Sequence, residues 1–440
     1  MRDGLRGEAV SAEGHRFMSE PSCSIVTIRM RAFHAADIHL DSPLRGLTLY
    51  EDAPVDELRS ATRRAFDNLI DAAIDEDVDL LLLAGDVFDG DWLHYSSGAH
   101  FARQMLRLRD AEVHVVSVAG NHDAASKITK SLRLPDNVTV LSAREPETWR
   151  DDDLGVAVHG QSYAEPAVTV DLCVGYPAPI AGLTNIGLLH TSADGRPGHE
   201  RYAPCTVESL VNRGFDYFAL GHVHAREVLS ADPPVVFCGS LQARGLQETG
   251  PKGATLIEFD HGVEHEHRVL DVVRWEVVVV DAAGCADRDE VCGRVATAIR
   301  NAAGAADGRL LAARVAIVGA TDAHGQLLGD SERLRHEVAL AAAEGAGSQV
   351  WVQGAVVQTT SPRPRIAAGD DAVGELVSEL EEIMASEASI AEVGKRLESL
   401  AGALPVAVLN EFNPADPDVL RSLMEDVCES LPLALTEATG

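Results

Sequence analysis

Short apolar runs alternate with amphipathic stretches from residue 31 to about 270, the pattern of an α/β domain. Residues 31–37, 78–86, 112–120, 154–160, 185–190, 216–222, 234–240 and 253–260 read as strands. Several are apolar almost throughout, as strands buried on both faces are. Between the first two, residues 56–76 place Leu58, Ala61, Ala65, Leu69 and Ala72 at helical spacing. "GPKG" (250–253) predicts a tight turn joining the last two strands.

Past residue 272 the pattern becomes a compact β-α-β-α-β module, with strands at 272–282, 309–319 and 348–358 and helices at 288–304 and 331–344. "TTSPRPRIAAGDD" (359–371) has the composition of a linker. Beyond it, Leu376, Val377, Leu380, Ile383 and Met384 would line one face of a helix, and Ile390, Val393, Leu397 and Leu400 one face of a second. Asp416 and Pro417 read as the N-cap and first residue of a third. The chain thus divides into a leader (1–29), a main domain (30–271), a small α+β domain (272–360), a linker (361–371) and a helical C-terminal region (372–440).

The predicted strands of the main domain share an ending. The first runs into Asp37 and His39, the second into Asp86, and the third into Asn121 and His122. "NIGLLH" ends in His190, and "ALGHVH" ends in His222 and His224. Open α/β sheets bind ligands at the carboxyl ends of their strands, so five strands deliver Asp, Asn or His to one edge. Carboxylate and amide oxygens with imidazoles, and no thiolate, suit a borderline-hard divalent ion such as manganese, with magnesium or another divalent ion as the alternative. Asp37, His39, Asp86, Asn121, His190, His222 and His224 are too many for one ordinary site. Two ions sharing a bridging carboxylate would use them all, and a pair about 3.5–4 Å apart can clamp the attacking and leaving oxygens of a phosphoryl transfer. Ala84, Gly85, Gly120 and Gly221, just before the donors, would let the backbone come close. His34, His114 and His159 fall within strands and read as packed histidines, and Asp123 as a brace for its turn. Asp89 could hold a ligand in place or face a substrate.

Charge narrows the partners. With 37 basic against 69 acidic residues the formal charge is −32, which argues against a dominant DNA-wrapping surface. The seven cysteines are scattered and form no C-x-x-C pair, which fits a reducing cytoplasm and no zinc ribbon. No apolar run approaches the roughly 20 residues needed to span a bilayer. Residues 1–29 lack a signal-peptide core and read as a disordered leader, with Met30 as an alternative start.

In order, D-x-H, G-D-x-x-D, G-N-H-D, H and G-H-x-H resemble the calcineurin-like metallophosphoesterase superfamily. Within it, "FHAADIHLDSPLRGL", "AGDVFDGDW", "VAGNHDAAS" and "ALGHVHAREV" are most similar to the SbcD-type DNA repair exonucleases, a likeness that "FCGSLQARGLQETGPKGATLIEFD" extends. The resemblance covers residues 31–275 specifically, 276–360 loosely as a small capping domain, and not the tail. It implies two mixed β-sheets flanked by helices and a pair of manganese ions. By motif position, Asp37, His39, Asp86 and His224 would hold one ion, and Asp86, Asn121, His190 and His222 the other. His122 would sit over the scissile phosphate as the catalytic residue. The resemblance further implies DNA ends as substrate, an SMC-like ATPase of the SbcC type as partner and a homodimer, although no interface helix stands out. Asp41 departs from the family, many of whose members have glycine there. Arg45, Arg226 and Arg244 are candidate phosphate contacts, and Trp92, with His94 and Tyr95, could stack on a displaced base. Two rival readings remain, a metallophosphoesterase of a small-molecule or phosphoprotein substrate and a non-enzymatic scaffold for the ATPase.

Overall fold

In the computed structural model, residues 29–44, 52–89, 95–125, 132–195, 200–362, 372–401 and 416–437 are described. The main domain runs β1 (Met30–Ala35), α1 (Val55–Asp75), β2 (Leu80–Ala84), α2 (Tyr95–Asp110), β3 (His114–Val118), α3 (Asn121–Ala125), β4 (Val138–Val140), β5 (Glu147–Asp151), β6 (Val156–Gly160), β7 (Thr184–His190), α4 (Val207–Val211), β8 (Tyr217–Gly221), β9 (Glu227–Ala231), β10 (Pro234–Phe237), β11 (Gly253–Phe259) and β12 (Val263–Val269). Two mixed six-stranded sheets result, ordered β12-β11-β1-β2-β3-β4 and β5-β6-β7-β8-β10-β9.

β2 shows why the layers form. Leu81 and Leu83 face α1 and α2, where they meet Phe66, Leu69, Phe101 and Met105. Leu80, Leu82 and Ala84 face the second sheet and meet Ile186, Leu188, Tyr217 and Ala219. Period-2 alternation thus sends successive leucines into different cores, each side chain contributing about 1.5–3 kcal/mol on burial.

Two expectations fail here. β10 and β11 are not joined by a tight turn, because they belong to different sheets and the chain crosses between the layers from Cys238 to Lys252. β4, β5, β9 and β12 were not foreseen. β5, β9 and β12 are part-exposed strands such as "VEHEHRV", and all four lie at sheet edges, where polar residues mask the apolar signal.

A smaller domain holds β13 (Val273–Asp281), α5 (Arg288–Ala305), β14 (Leu310–Ala320), α6 (His324–Gly329), α7 (Ser331–Ala346) and β15 (Val350–Thr360), with a third, parallel sheet ordered β13-β14-β15. It has its own core around Val295, Ile299, Val315, Ile317 and Val338. Its base docks on the main domain where Trp275, Ala312 and Trp351 meet Leu58, Ala61 and Ala243. α8 (Ala372–Ala385), α9 (Glu387–Ala401) and α10 (Pro417–Glu437) follow, and α10 packs on α6, α8 and α9. Asp416 accepts the Asp418 N–H at 2.9 Å, as its expected capping role requires. Ile390 and Leu420 are buried, whereas Leu376, expected on a packing face, is 39% exposed. The leader to residue 28, linker residues 363–371, Arg45 and Trp92 lie outside the described residues. No described helix is long and apolar enough to cross a membrane.

Candidate metal centre

The carboxyl ends of β1, β2 and β3 in one sheet, and of β7 and β8 in the other, meet at one edge of the sandwich. There the loop after β1 pairs with the loop after β2: Asp37 N–H donates to Gly85 O at 3.1 Å and His39 N–H to Asp86 O at 3.0 Å. Asp37 (φ 49°), His39 (45°), Asp86 (52°) and His222 (100°) all adopt left-handed backbone. Such conformations cost about 1–3 kcal/mol each and persist where the surroundings over-determine them. They turn side chains inward that a regular strand would send to opposite faces. Asp37, His39, Asp86, His190 and His222 are buried, and Asn121, His122 and His224 partly so.

Donor atoms of three sets lie within 4.8 Å of one another: Asp37, His39 and His224; Asp37, Asp86 and His190; His39, Asp86 and His122. Asn121 joins through its Oδ1, 3.0 Å from His190 Nε2. His222 is in none of the three sets, though its ring centroid lies 5.2 Å from that of His190 and its backbone N–H donates to Asp37; its Nε2 lies 2.8 Å from Glu200 O, so Nδ1 is the atom it would offer to an ion.

The protons identify what these donors can hold. His190 Nδ1 lies 2.9 Å from the Ala84 carbonyl and must carry the hydrogen, which leaves the Nε2 lone pair facing Asn121 Oδ1 and, at 3.4 Å, Asp86 Oδ2. His224 Nδ1 donates to Glu248 Oε1 at 2.7 Å, which turns its Nε2 towards Asp37 Oδ1 at 3.8 Å. Both ring nitrogens of His39 are buried without a hydrogen-bond partner. Acceptors therefore converge on acceptors, and a divalent cation fits between them. Burial would lower the His190 imidazolium, but Asp86 beside it holds its pKa up at about 9.

Glycine makes room for this convergence. A Cβ on Gly120 would collide with the Asp86 carboxylate, and one on Gly85, at φ +92°, would lie 2.5 Å from His190 Nδ1. The close approach serves the donor side chains as well as any ion.

His122 N–H donates to Asp86 Oδ1 at 2.9 Å, and its Nδ1 lies 2.9 Å from Asp89 Oδ1. The Asp89 hydrogen bond outweighs burial and raises the His122 pKa. Asp89 also accepts from Ser42 Oγ at 2.6 Å and lies 3.7 Å from Arg244. Asp123 accepts the N–H groups of Phe88 (2.9 Å), Gly120 (3.1 Å) and Val87 (3.2 Å), tying the loop after β2 to the loop after β3. Asp41, at φ 58°, pairs with Arg63 and Ser97, fixing its loop to α1 and α2.

Arg244 lies beside this network, but Arg226 does not join it: its guanidinium is 3.4 Å from His265 on β12. His34 bonds Tyr217 and the Leu220 carbonyl, His159 bonds Thr148 and Asn185, and His114 flanks Trp149 and Asp151, all outside the donor set. Glu248 was missed from sequence. Its only signal is a glutamate in "GLQETG", far along the chain from any donor motif. The five cysteines with described side chains, Cys173, Cys205, Cys238, Cys285 and Cys292, are free thiols.

Residues 30–226, which carry the whole donor set, match the calcineurin-like phosphoesterase family. Residues 275–360 match the middle domain of the metallophosphoesterase YhaO. The uncharacterized metallophosphoesterase YhaO of Bacillus subtilis is 35% identical over 253 residues, 56% of this chain and 62% of that one. The DNA double-strand break repair protein Mre11 of Methanopyrus kandleri is 27% identical over 295 residues, 60% of this chain and 62% of that one. The SbcD component of the SbcCD nuclease of Escherichia coli K12 is 26% identical over 278 residues, covering 53% of this chain and 66% of that one. Each match therefore spans less than two thirds of the relative's length. The likeness to SbcD is weaker than that to YhaO, contrary to the emphasis of the sequence motifs.

Proposed function

We propose that the chain is a two-metal phosphodiesterase that processes DNA ends in repair. The observation that carries the metal reading is the buried, unpartnered His39 ring among converging acceptors. DNA as substrate is supported by the likeness to Mre11 and SbcD. In this reading Asp37, His39, Asp86 and His224 hold one divalent ion, manganese by preference, and Asp86, Asn121, His190 and His222 the other. Residues 30–271 are the nuclease domain and 272–360 a capping domain. The chain works in the cytoplasm, as a dimer, with an SMC-like ATPase of the SbcC type. That partner would supply the basic surface that a chain of charge −32 lacks.

The chemistry a divalent pair supplies is positive charge on the phosphate and a water acidic enough to act as nucleophile near neutral pH. The protein's own groups do the rest. Asp86, central to two donor sets, fixes the distance between the two halves of the site. His122, oriented by Asp89, donates its other ring N–H to the phosphate or the departing oxygen. Arg244 lies on the same side, held by Asp89 and Glu248, to meet a second phosphate oxygen.

The test is degradation of end-labelled linear duplex DNA by the purified chain with manganese, beside Asp86→Ala and a small phosphodiester. DNA shortening that vanishes in the variant supports the reading. Metal-dependent cleavage of the small ester alone, also after a cognate ATPase is added, would overturn the DNA assignment.

A further inference from the structure

Glu248 touches two groups of the site at once although it lies in none of the metal-binding motifs. It closes a 3-10 turn, Leu246–Glu248, in the segment that crosses between the two large sheets. The turn is held from outside the site: Leu246 packs in the cluster of Trp275 and Trp351, and Gly250 N–H donates to Trp275 O at 3.1 Å. So placed, the Glu248 side chain is 15% exposed, with Oε1 2.7 Å from His224 Nδ1 and Oε2 accepting the Arg244 N–H at 3.0 Å. The Arg244 guanidinium lies 3.5 Å from Oε1 and continues to Ser42 and Asp89, which bonds His122.

We propose that Glu248 is a positioning residue of the metal centre, acting on the ion through His224 and on the substrate side through Arg244. The inference rests on the two-metal reading. An imidazole offers a metal only the nitrogen that carries no proton, and a carboxylate on Nδ1 keeps the proton there. Nε2 is thereby committed to the inward face beside Asp37 and His39. On the substrate side the same carboxylate shares Arg244 with Asp89 and so fixes where its guanidinium sits.

The experiment is calorimetric titration of metal-free protein with manganese alone, on the wild type, Glu248→Ala, Glu248→Gln and each change combined with His224→Ala. Removal of such an orienting partner typically costs about 10–100-fold in metal affinity, so Glu248→Ala should weaken one of two manganese sites by that factor and spare the other. Glu248→Gln, whose carbonyl still accepts the Nδ1 proton, should recover most of the loss. With His224 already replaced, Glu248→Ala should have no further effect on manganese binding. Melting of the metal-free proteins identifies any variant that fails to fold, and Glu248→Leu, which fills the same space but accepts no proton, then takes the place of Glu248→Ala in both backgrounds. Equal manganese affinity in Glu248→Ala and wild type, or the same loss with and without His224, would overturn the proposal. A wild type that binds no manganese would instead sink the metal reading beneath it.

Discussion

Asp123→Ala is expected to destabilise the metal-free protein by about 3–6 kcal/mol, because it removes the carboxylate acceptor of three backbone N–H groups at ~1–2 kcal/mol each. Asp123 is 4% exposed, so water does not readily take the place of its oxygens against the amides of Val87, Phe88 and Gly120. Those amides flank Asp86 and Asn121, so the same change should loosen the two loops that deliver them. Asp123→Asn keeps one acceptor oxygen but turns an NH2 group against a backbone donor, and should fall between alanine and wild type. Urea unfolding in chelator, followed by far-UV circular dichroism, gives the stability difference from the shift in midpoint at constant slope. Manganese titration of the still-folded variant gives the second readout, with weakened binding expected. A stability loss under ~1 kcal/mol together with unchanged manganese affinity would show that the brace is dispensable and refute the argument.

His122→Ala should keep manganese binding but lose most turnover, whereas Asp86→Ala should lose both ions; normal activity with full metal in Asp86→Ala would refute its bridging role. Gly85→Ala forces a Cβ against His190 at a left-handed position and should reduce both folding stability, by about 2 kcal/mol, and manganese affinity, measured by melting and titration. His34 is buried, and burial drives its pKa from 6.5 down to about 3, so the neutral ring is the stable folded form. Its contribution is complete above pH 6.5 and is lost as the pH falls from there towards 3, at ~1.4 kcal/mol per pH unit. His34→Gln should therefore flatten the stability profile in that window, and an unchanged slope would refute the assignment.

The donor positions were legible in the sequence because they follow strands, and hydrophobic periodicity locates strands locally. β1, β2, β3, β7 and β8 appear where the apolar runs lie, within a few residues. Parallel α/β winding then sends their carboxyl ends to one edge whatever the details of packing. The β-α-β-α-β pattern past residue 272 was legible for the same reason, with only the short α6 added. Edge strands were not, since β12 alternates polar residues and β9 is mostly exposed.

Side-chain direction in loops has no such local signature. Only the packed sandwich decides that Asp37, His39, Asp86 and His222 turn left-handed and inward, that Arg226 turns to β12 while Arg244 turns to Asp89, and that β10 and β11 part into separate sheets. Glu248 shows the difference most sharply. It stands 24 residues beyond His224, and it meets that ring because the intervening chain crosses between sheets and is pinned to Trp275. Sequence therefore determined which residues could bind metal, because composition and strand ends are local properties. The tertiary structure decided which nitrogen each histidine presents and what holds it there, because those depend on contacts between segments distant in the chain.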